Sequence, residues 1–116
     1  MMADYSVLET ARELMLEPED LEEIYELFFT DVKSWLQDCQ QLAAGDAGRL
    51  AALLHSLKGA ANNLRMEETA RKARQLEKEV LEGLSLPKTV CELEILQKDI
   101  GELEARVHAF YARLSD

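Results

Sequence analysis

The sequence predicts an all-α domain, and three observations support this class. Among 116 residues only 5 are Gly and 2 are Pro, and no segment alternates apolar and polar residues over the length of a strand. Apolar residues instead recur at steps of three and four, the spacing of one helix face. A chain of this length that is 47% hydrophobic and 31% charged is typical of one folded domain with one core. We therefore expect a single domain over residues 1–116.

The first two helices are predicted from this spacing and from residues that begin helices. The first runs from about Ser6 to Met15, with Ser6 and Glu9 placed as a capping box. The second begins at Pro18, whose missing N–H costs nothing at the first helical position. Four carboxylates in its first turns complement the positive end of the helix dipole. Its predicted core positions are Leu21, Ile24, Phe28, Val32, Trp35, Cys39 and Leu42.

Three further helices follow. Gly45 is expected to end the second helix and Asp46 to cap the third, the fourth begins near Glu67, and Gly83 to Pro87 separates it from the fifth. Because short connections make successive helices antiparallel, we expect an up-down antiparallel four-helix bundle with a short additional N-terminal helix. The predicted core positions are Leu50, Leu53, Leu54, Leu57, Ala61 and Leu64 in the third helix, Ala70, Ala73, Leu76, Val80 and Leu84 in the fourth, and Leu93, Leu96, Ile100, Leu103, Val107, Phe110 and Leu114 in the fifth.

The charge and composition argue against several classes of partner. The net charge of −10 repels nucleic-acid phosphates and anionic lipids, and no uncharged run is long enough to span a bilayer. The first residues contain no secretion signal, so we expect a cytoplasmic protein with Cys39 and Cys91 reduced. We also expect a monomer. Glu104 and His108 stand four positions apart, but 2 histidines are too few for the carboxylate–histidine metal sites of helical bundles. No metal site is expected.

The third helix has an outer face unlike the others. At about 100° per residue the centre of its apolar stripe falls near Leu57 and Ala61, and His55 lies about 150° away. Glycine inside a helix costs about 1 kcal/mol relative to alanine, whereas small neighbours leave an imidazole open to a second protein. Lys58, three residues on, is placed to neutralise an incoming phosphoryl group. The residues sharing the face with His55 are Ala51, Ala52, Lys58, Gly59 and Asn62.

The charge of the segment around His55 also favours an anionic ligand. One acid against three basic residues between Asp46 and Arg65 gives this segment a net charge of +2 and leaves −12 for the rest. Each residue also has an ordinary interpretation: an exposed histidine is usually a surface residue, Gly59 would mark a helix crossing and Lys58 a surface charge. The combination is what favours a functional site.

The stretch from His55 to Leu64 reads His-Ser-Leu-Lys-Gly-Ala-Ala-Asn-Asn-Leu. It resembles the signature of histidine-containing phosphotransfer (HPt) domains, His-x-Leu-Lys-Gly-Ser/Ala-Ala/Ser followed by a Leu-Gly pair. Ala44-Gly45-Asp46 resembles the turn before the histidine helix in that family, and Leu76-Glu77 resembles the Leu-Glu of the next helix. The match covers roughly Phe28 to Leu114.

The chain departs from the family pattern after Leu64. Arg65 stands where the family usually has glycine, so the turn between the third and fourth helices would be built differently. Asn63 is the alternative residue for a left-handed or capping conformation there.

The resemblance implies a four-helix bundle with an accessory helix, His55 as the phosphoacceptor, and partners that carry receiver domains, including a hybrid sensor histidine kinase. Magnesium would be needed only on the receiver, so no cofactor is expected on this chain. Glu77 falls inside the apolar stripe of the fourth helix, where a carboxylate is unexpected. In the family a polar residue there can hydrogen-bond the histidine; alternatively Glu77 extends to water from the edge of the stripe.

We therefore expect a phosphorelay intermediate in which His55 accepts a phosphoryl group from, and donates it to, an aspartate of a receiver domain. One alternative is a helical interaction bundle in which His55 is incidental, and transfer from a phosphorylated receiver separates the two. Another is an autophosphorylating histidine kinase. The sequence contains no nucleotide-binding domain and no Gly-rich loop, and Ser56 stands where kinase phosphoacceptor helices carry an acid. No enzymatic activity of its own is expected.

Overall fold

The structure is a computed structural model that describes residues 5–42 and 46–115. Every regular element within these ranges is an α-helix: α1 (Val7–Leu14), α2 (Pro18–Leu42), α3 (Ala47–Asn63), α4 (Glu67–Leu81) and α5 (Leu86–Leu114). The all-α class and the five predicted helices are confirmed. Among the described residues, no helix combines the length and the apolar character needed to cross a membrane.

The helix starts follow the local sequence. The Ser6 hydroxyl accepts the Glu9 backbone N–H at 3.1 Å and begins α1, and the Asp46 carboxylate accepts the Arg49 N–H at 3.1 Å and begins α3. α2 starts at Pro18, as predicted, and the predicted end of this helix at Gly45 lies outside the described residues. Each cap satisfies a backbone donor that the helix itself leaves without a partner.

The four longer helices surround one core. α3 packs against α2 and α4, α5 packs against the same two helices, and α1 lies on α2. The domain is elongated, with extents of 47 × 24 × 22 Å. The core is filled by large side chains from all four long helices, among them Tyr25, Phe29, Leu50, Leu54, Leu57, Leu76, Leu93, Leu96 and Leu103.

Several predicted core positions lie nearer the surface. On α2, Ile24 is 42% exposed and Trp35 is half-buried, while Tyr25, Phe29 and Leu36 are buried. Apolar residues occupy adjacent positions along this helix, so the spacing alone did not decide which line faces inward. The buried face is centred about 50° further round the helix. It keeps the predicted residues Leu21, Phe28, Val32 and Cys39.

The end of α5 differs in a similar way. Phe110 is half-buried and Leu114 is 44% exposed, whereas Tyr111 is buried. The Tyr111 hydroxyl donates to the Pro18 carbonyl at 2.6 Å, so the last turn of α5 docks on the start of α2 through this side chain. Leu53 is likewise half-buried on α3. Leu84 is half-buried too, but it lies after the end of α4 at Leu81, so it is not part of the predicted fourth helix.

The connection from α3 to α4 turns at Arg65, not at Asn63. Arg65 has a φ of 60°, and its N–H donates to the Asn62 carbonyl at 3.0 Å while the Met66 N–H donates to Ala61 at 2.9 Å. This pair of bonds is a Schellman motif, in which glycine is the usual left-handed residue. The left-handed conformation costs a side-chain-bearing residue about 1–2 kcal/mol. Met66, buried directly after it, fixes the turn.

The N-terminal segment braces this end of α3. The Tyr5 hydroxyl donates to the Leu64 carbonyl at 2.7 Å and lies beside the Tyr25 hydroxyl. The phenol of Tyr5 is protonated at neutral pH and can donate, and burial raises the pKa of Tyr5 further above its usual value. The helix that carries His55 is therefore capped at its start and anchored at its end.

Candidate functional site on the outer face of α3

His55 lies in the middle of α3, with its side chain 64% exposed. Its neighbours in sequence, Leu54 and Leu57, are buried and hold the helix against the core. The backbone beneath the ring is thus rigid, while the ring itself is open to solvent.

A carboxylate from α4 reaches the ring. Glu77 Oε2 lies 3.2 Å from His55 Nδ1, and the Glu77 side chain is only 20% exposed. The two helices approach closely because alanines occupy their shared seam: Ala51 and Ala61 on α3 and Ala70 and Ala73 on α4 are all buried.

A lysine approaches the same nitrogen. Lys58 Nζ lies 3.3 Å from His55 Nδ1. An ammonium group can only donate a hydrogen bond and a carboxylate can only accept one. Nδ1 therefore bonds Glu77 when it carries the proton and Lys58 when it does not. When Nδ1 carries the proton and donates it to Glu77, the lone pair of the ring is on Nε2. Nε2 has no hydrogen-bond partner within the described part of the chain.

The surroundings of the ring are open. A Cβ built on Gly59 would meet nothing within 4 Å, and Ala52 and Asn62 are exposed. The possibility that Gly59 marks a helix crossing is therefore excluded.

The prediction that Ala51 belongs to the accessible face around His55 is wrong. Ala51 is only 4% exposed, so it does not belong to the accessible surface around His55. It lies on the flank of α3 that α4 covers, where its small side chain allows the close approach of the two helices.

A family model of the Hpt domain matches residues 19–110. The chain belongs to the Hpt domain family. Comparison with curated proteins and with solved structures returned no match. Hpt domains serve in phosphotransfer within two-component signalling and interact with receiver domains and kinases. The matched segment runs from the first turn of α2 into the last turns of α5 and includes His55.

Part of the surroundings of the histidine in this Hpt domain was not predicted from the sequence. A groove of about 180 Å³ beside the site is bordered by Lys58 and Asn62 from α3 and by Arg71 and Arg74 from α4. The signal was present, since Arg71, Arg74 and Lys78 recur at steps of three and four opposite the apolar stripe of α4. Only the packing of α4 beside His55 makes that pattern relevant to the site.

The other reactive side chains of the Hpt domain lie apart from His55. His108 Nε2 is 4.0 Å from Glu104 Oε2 on its own helix. The described residues contain no group of three or more side chains suited to hold a metal ion. Both cysteines are free, and burial raises the pKa of the Cys39 thiol to about 11, which makes it unreactive at neutral pH.

Proposed function

We propose that this Hpt domain is a phosphorelay intermediate in which His55 Nε2 accepts a phosphoryl group from a receiver aspartate and passes it to an aspartate in turn. The observation that carries the proposal is an exposed imidazole whose Nδ1 lies 3.2 Å from a carboxylate and whose Nε2 faces solvent. Phosphoryl transfer asks a protein mainly for positioning and charge neutralisation.

Glu77 is the positioning residue in this proposal. By accepting the Nδ1–H, its carboxylate selects the tautomer with the lone pair on Nε2. Nε2 then attacks the phosphorus of the aspartyl phosphate, the N–P bond forms, and the P–O bond breaks with its electron pair returning to the aspartate carboxylate. The ring gains positive charge in this step, and the nearby carboxylate stabilises it. Transfer onward reverses the same bonds.

Lys58 neutralises the charge of the phosphoryl group. Its ammonium lies 3.3 Å from His55 Nδ1, on a flexible stem that lets it move toward Nε2 and the arriving phosphate. Gly59, Ala52 and Asn62 keep the approach to the ring open. Magnesium belongs to the receiver, and the Hpt domain acts without an ATP site or kinase activity of its own.

We also infer the domain organisation, the location, the helix topology and the partners of the protein. Residues 1–116 form one monomeric domain that works in the cytoplasm, and its four long helices run up-down and antiparallel. Partners are the receiver domains of response regulators and of a hybrid sensor kinase.

The test is phosphoryl transfer from a receiver domain loaded with acetyl phosphate. Wild-type protein should gain an acid-labile, alkali-stable phosphate, and His55→Gln should gain none while its circular dichroism is unchanged. His108→Gln is the matched control, since it removes an equally exposed histidine, and it should label like the wild type. Label retained in His55→Gln would contradict the proposal, and failure of every loaded receiver to label the wild type would favour an interaction bundle.

A further inference from the structure

A line of cations runs along α4 next to the histidine. Arg71, Arg74 and Lys78 are exposed and recur at steps of three and four, so they project from one side of the helix. The opposite side is the buried stripe that includes Ala73, Leu76 and Val80. We call these three residues together with Lys58 of α3 the basic ridge.

The basic ridge is continuous with the site. Lys58 borders the same groove as Arg71 and Arg74, which Glu67 also lines, so three cations face one carboxylate there. Lys58 Nζ contacts the His55 ring. Arg74 precedes Glu77 by three residues and Lys78 follows it by one, and Glu77 is the residue that reaches His55. A partner that delivers a group to Nε2 therefore has these cations beside its point of contact.

The charges of the ridge are available to a partner. Neither Arg74 nor Lys78 forms an ion pair within residues 5–42 and 46–115, and Arg71 has a surface contact of 3.5 Å with Glu68. Lys72 on the same helix is different, because it points toward α5 and pairs with Asp99. Surface pairs such as that of Arg71 are weak and yield readily to a new partner.

The α2 side of the domain has the opposite charge. α2 carries seven carboxylates and one lysine, a net charge of −6. α3 carries two cations and no acid, and α4 carries four cations and four carboxylates, with no net charge. At physiological salt the Debye length is about 8 Å, so a docking surface senses local charges more than the total of −10. An anionic surface is thus attracted to the α3–α4 side and repelled from α2.

We propose that the basic ridge is a docking surface for the anionic face of the receiver domain, so that the partner covers α4 as well as the top of α3 during transfer. The proposal rests on the proposed function. The occupant is defined by its chemistry: a phosphoryl group on a carboxylate carries about two negative charges and makes its surroundings anionic. The cations of the ridge then orient the partner before the bond-forming step.

The experiment compares two donors. The receiver that labels the wild type best is chosen from a panel, and phosphoramidate serves as a small donor that needs no docking surface. The test variant is Arg74→Glu with Lys78→Glu. The matched control is Lys98→Glu with Arg113→Glu, which changes the net charge by the same amount. Both control residues lie on α5, which packs against α2 and α4 but lies apart from α3.

We expect the ridge variant to slow transfer from the receiver by at least tenfold at low salt, and the control to slow it less than twofold. Raising the salt from about 0.05 to 0.5 M should slow the wild type and have much less effect on the ridge variant, because screening removes the same attraction. Labelling by phosphoramidate should be equal in all three proteins. Arg74→Gln with Lys78→Gln, which avoids new repulsion within α4, should show an intermediate loss.

Equal slowing in the ridge variant and the control would overturn the docking proposal and leave the histidine chemistry intact. Slowing with phosphoramidate as well would also overturn it, because the effect would then lie in the ring and not in docking. If neither donor labels the wild type, the proposed function fails, and the docking proposal that rests on it fails with it.

Discussion

The two histidines of the chain are equally exposed but differently surrounded. The side chain of His55 is 64% exposed and that of His108 is 63% exposed, and each lies near a glutamate. Glu77 approaches His55 from another helix at 3.2 Å. Glu104 lies on the same helix as His108 at 4.0 Å and is already bound by Lys33 at 2.8 Å.

The charges around the two rings differ in sign. His108 borders a groove with Glu22 and Glu26, so an incoming phosphoryl group would meet carboxylates. His55 has Lys58 beside it and the basic ridge beyond. Exposure therefore does not distinguish the two histidines. A carboxylate from a neighbouring helix and a cationic approach do, and both favour His55 as the proposed phosphoacceptor.

Blocking the approach to His55 should have the largest effect in this comparison. Gly59→Gln adds a side chain one turn from the ring, where a Cβ would meet no other atom, so the fold should be kept. A displacement of about 1 Å at the reacting atoms can slow a reaction by about 100-fold, and we expect transfer from a receiver to fall by about 10–100-fold. Labelling by phosphoramidate should change little.

Gly101→Gln is the matched control for that substitution. Gly101 is also a helical glycine with open space around it, but it lies on α5. Both substitutions should stabilise the protein by several tenths of a kcal/mol through helix propensity, measured by thermal unfolding, and only Gly59→Gln should slow the receiver. Unchanged receiver transfer in Gly59→Gln would show that the partner does not approach from this side.

Replacing the glutamate beside each histidine should have a smaller effect on the rate than blocking the approach to His55, and only the Glu77 substitution should change the rate. A charge-assisted hydrogen bond to a half-exposed ring contributes about 1.5 kcal/mol, which is about tenfold in rate. Glu77→Leu should therefore slow labelling of His55 about tenfold with both donors, and Glu77→Gln should recover part of the rate because its amide oxygen still accepts the Nδ1–H. Glu104→Leu should leave the rate unchanged. Equal rates in wild type and Glu77→Leu would remove Glu77 from the mechanism.

The subtlest difference should be the position of the ring proton. At about pH 8, where imidazole is mostly neutral, His55 should carry its proton on Nδ1, toward Glu77, and His108 on Nε2, which is the nitrogen nearer Glu104. Two-bond ¹H–¹⁵N NMR spectra distinguish the tautomers. In Glu77→Leu the His55 signals should shift toward the Nε2–H form; a His55 ring that is already in that form in the wild type would contradict the proposed attack by Nε2.

Much of the fold was predictable because its signals are local. The caps at Ser6 and Asp46 and the start of α2 at Pro18 depend on side chains within one turn. Positions such as Ile24 were predicted wrongly because α2 has apolar residues on two adjacent lines. The turn at Arg65 was not predicted for another reason. A residue other than glycine takes the left-handed conformation there, and the burial of Met66 and the hydrogen bond from Tyr5 to the Leu64 carbonyl stabilise the turn.

The sequence by itself determined the helical class, the starts of the first three helices, the family and the placement of His55 on an outer face, since a period of 3.6 residues fixes directions around each helix axis. It did not determine where the neighbouring helix lies. Tertiary packing decided that α4 covers the flank of α3 carrying Ala51, and this one choice buries Ala51, brings Glu77 to the ring and sets the basic ridge beside the site. The physical reason is that the position of one helix around another depends on how both surfaces fit, which no single helix encodes.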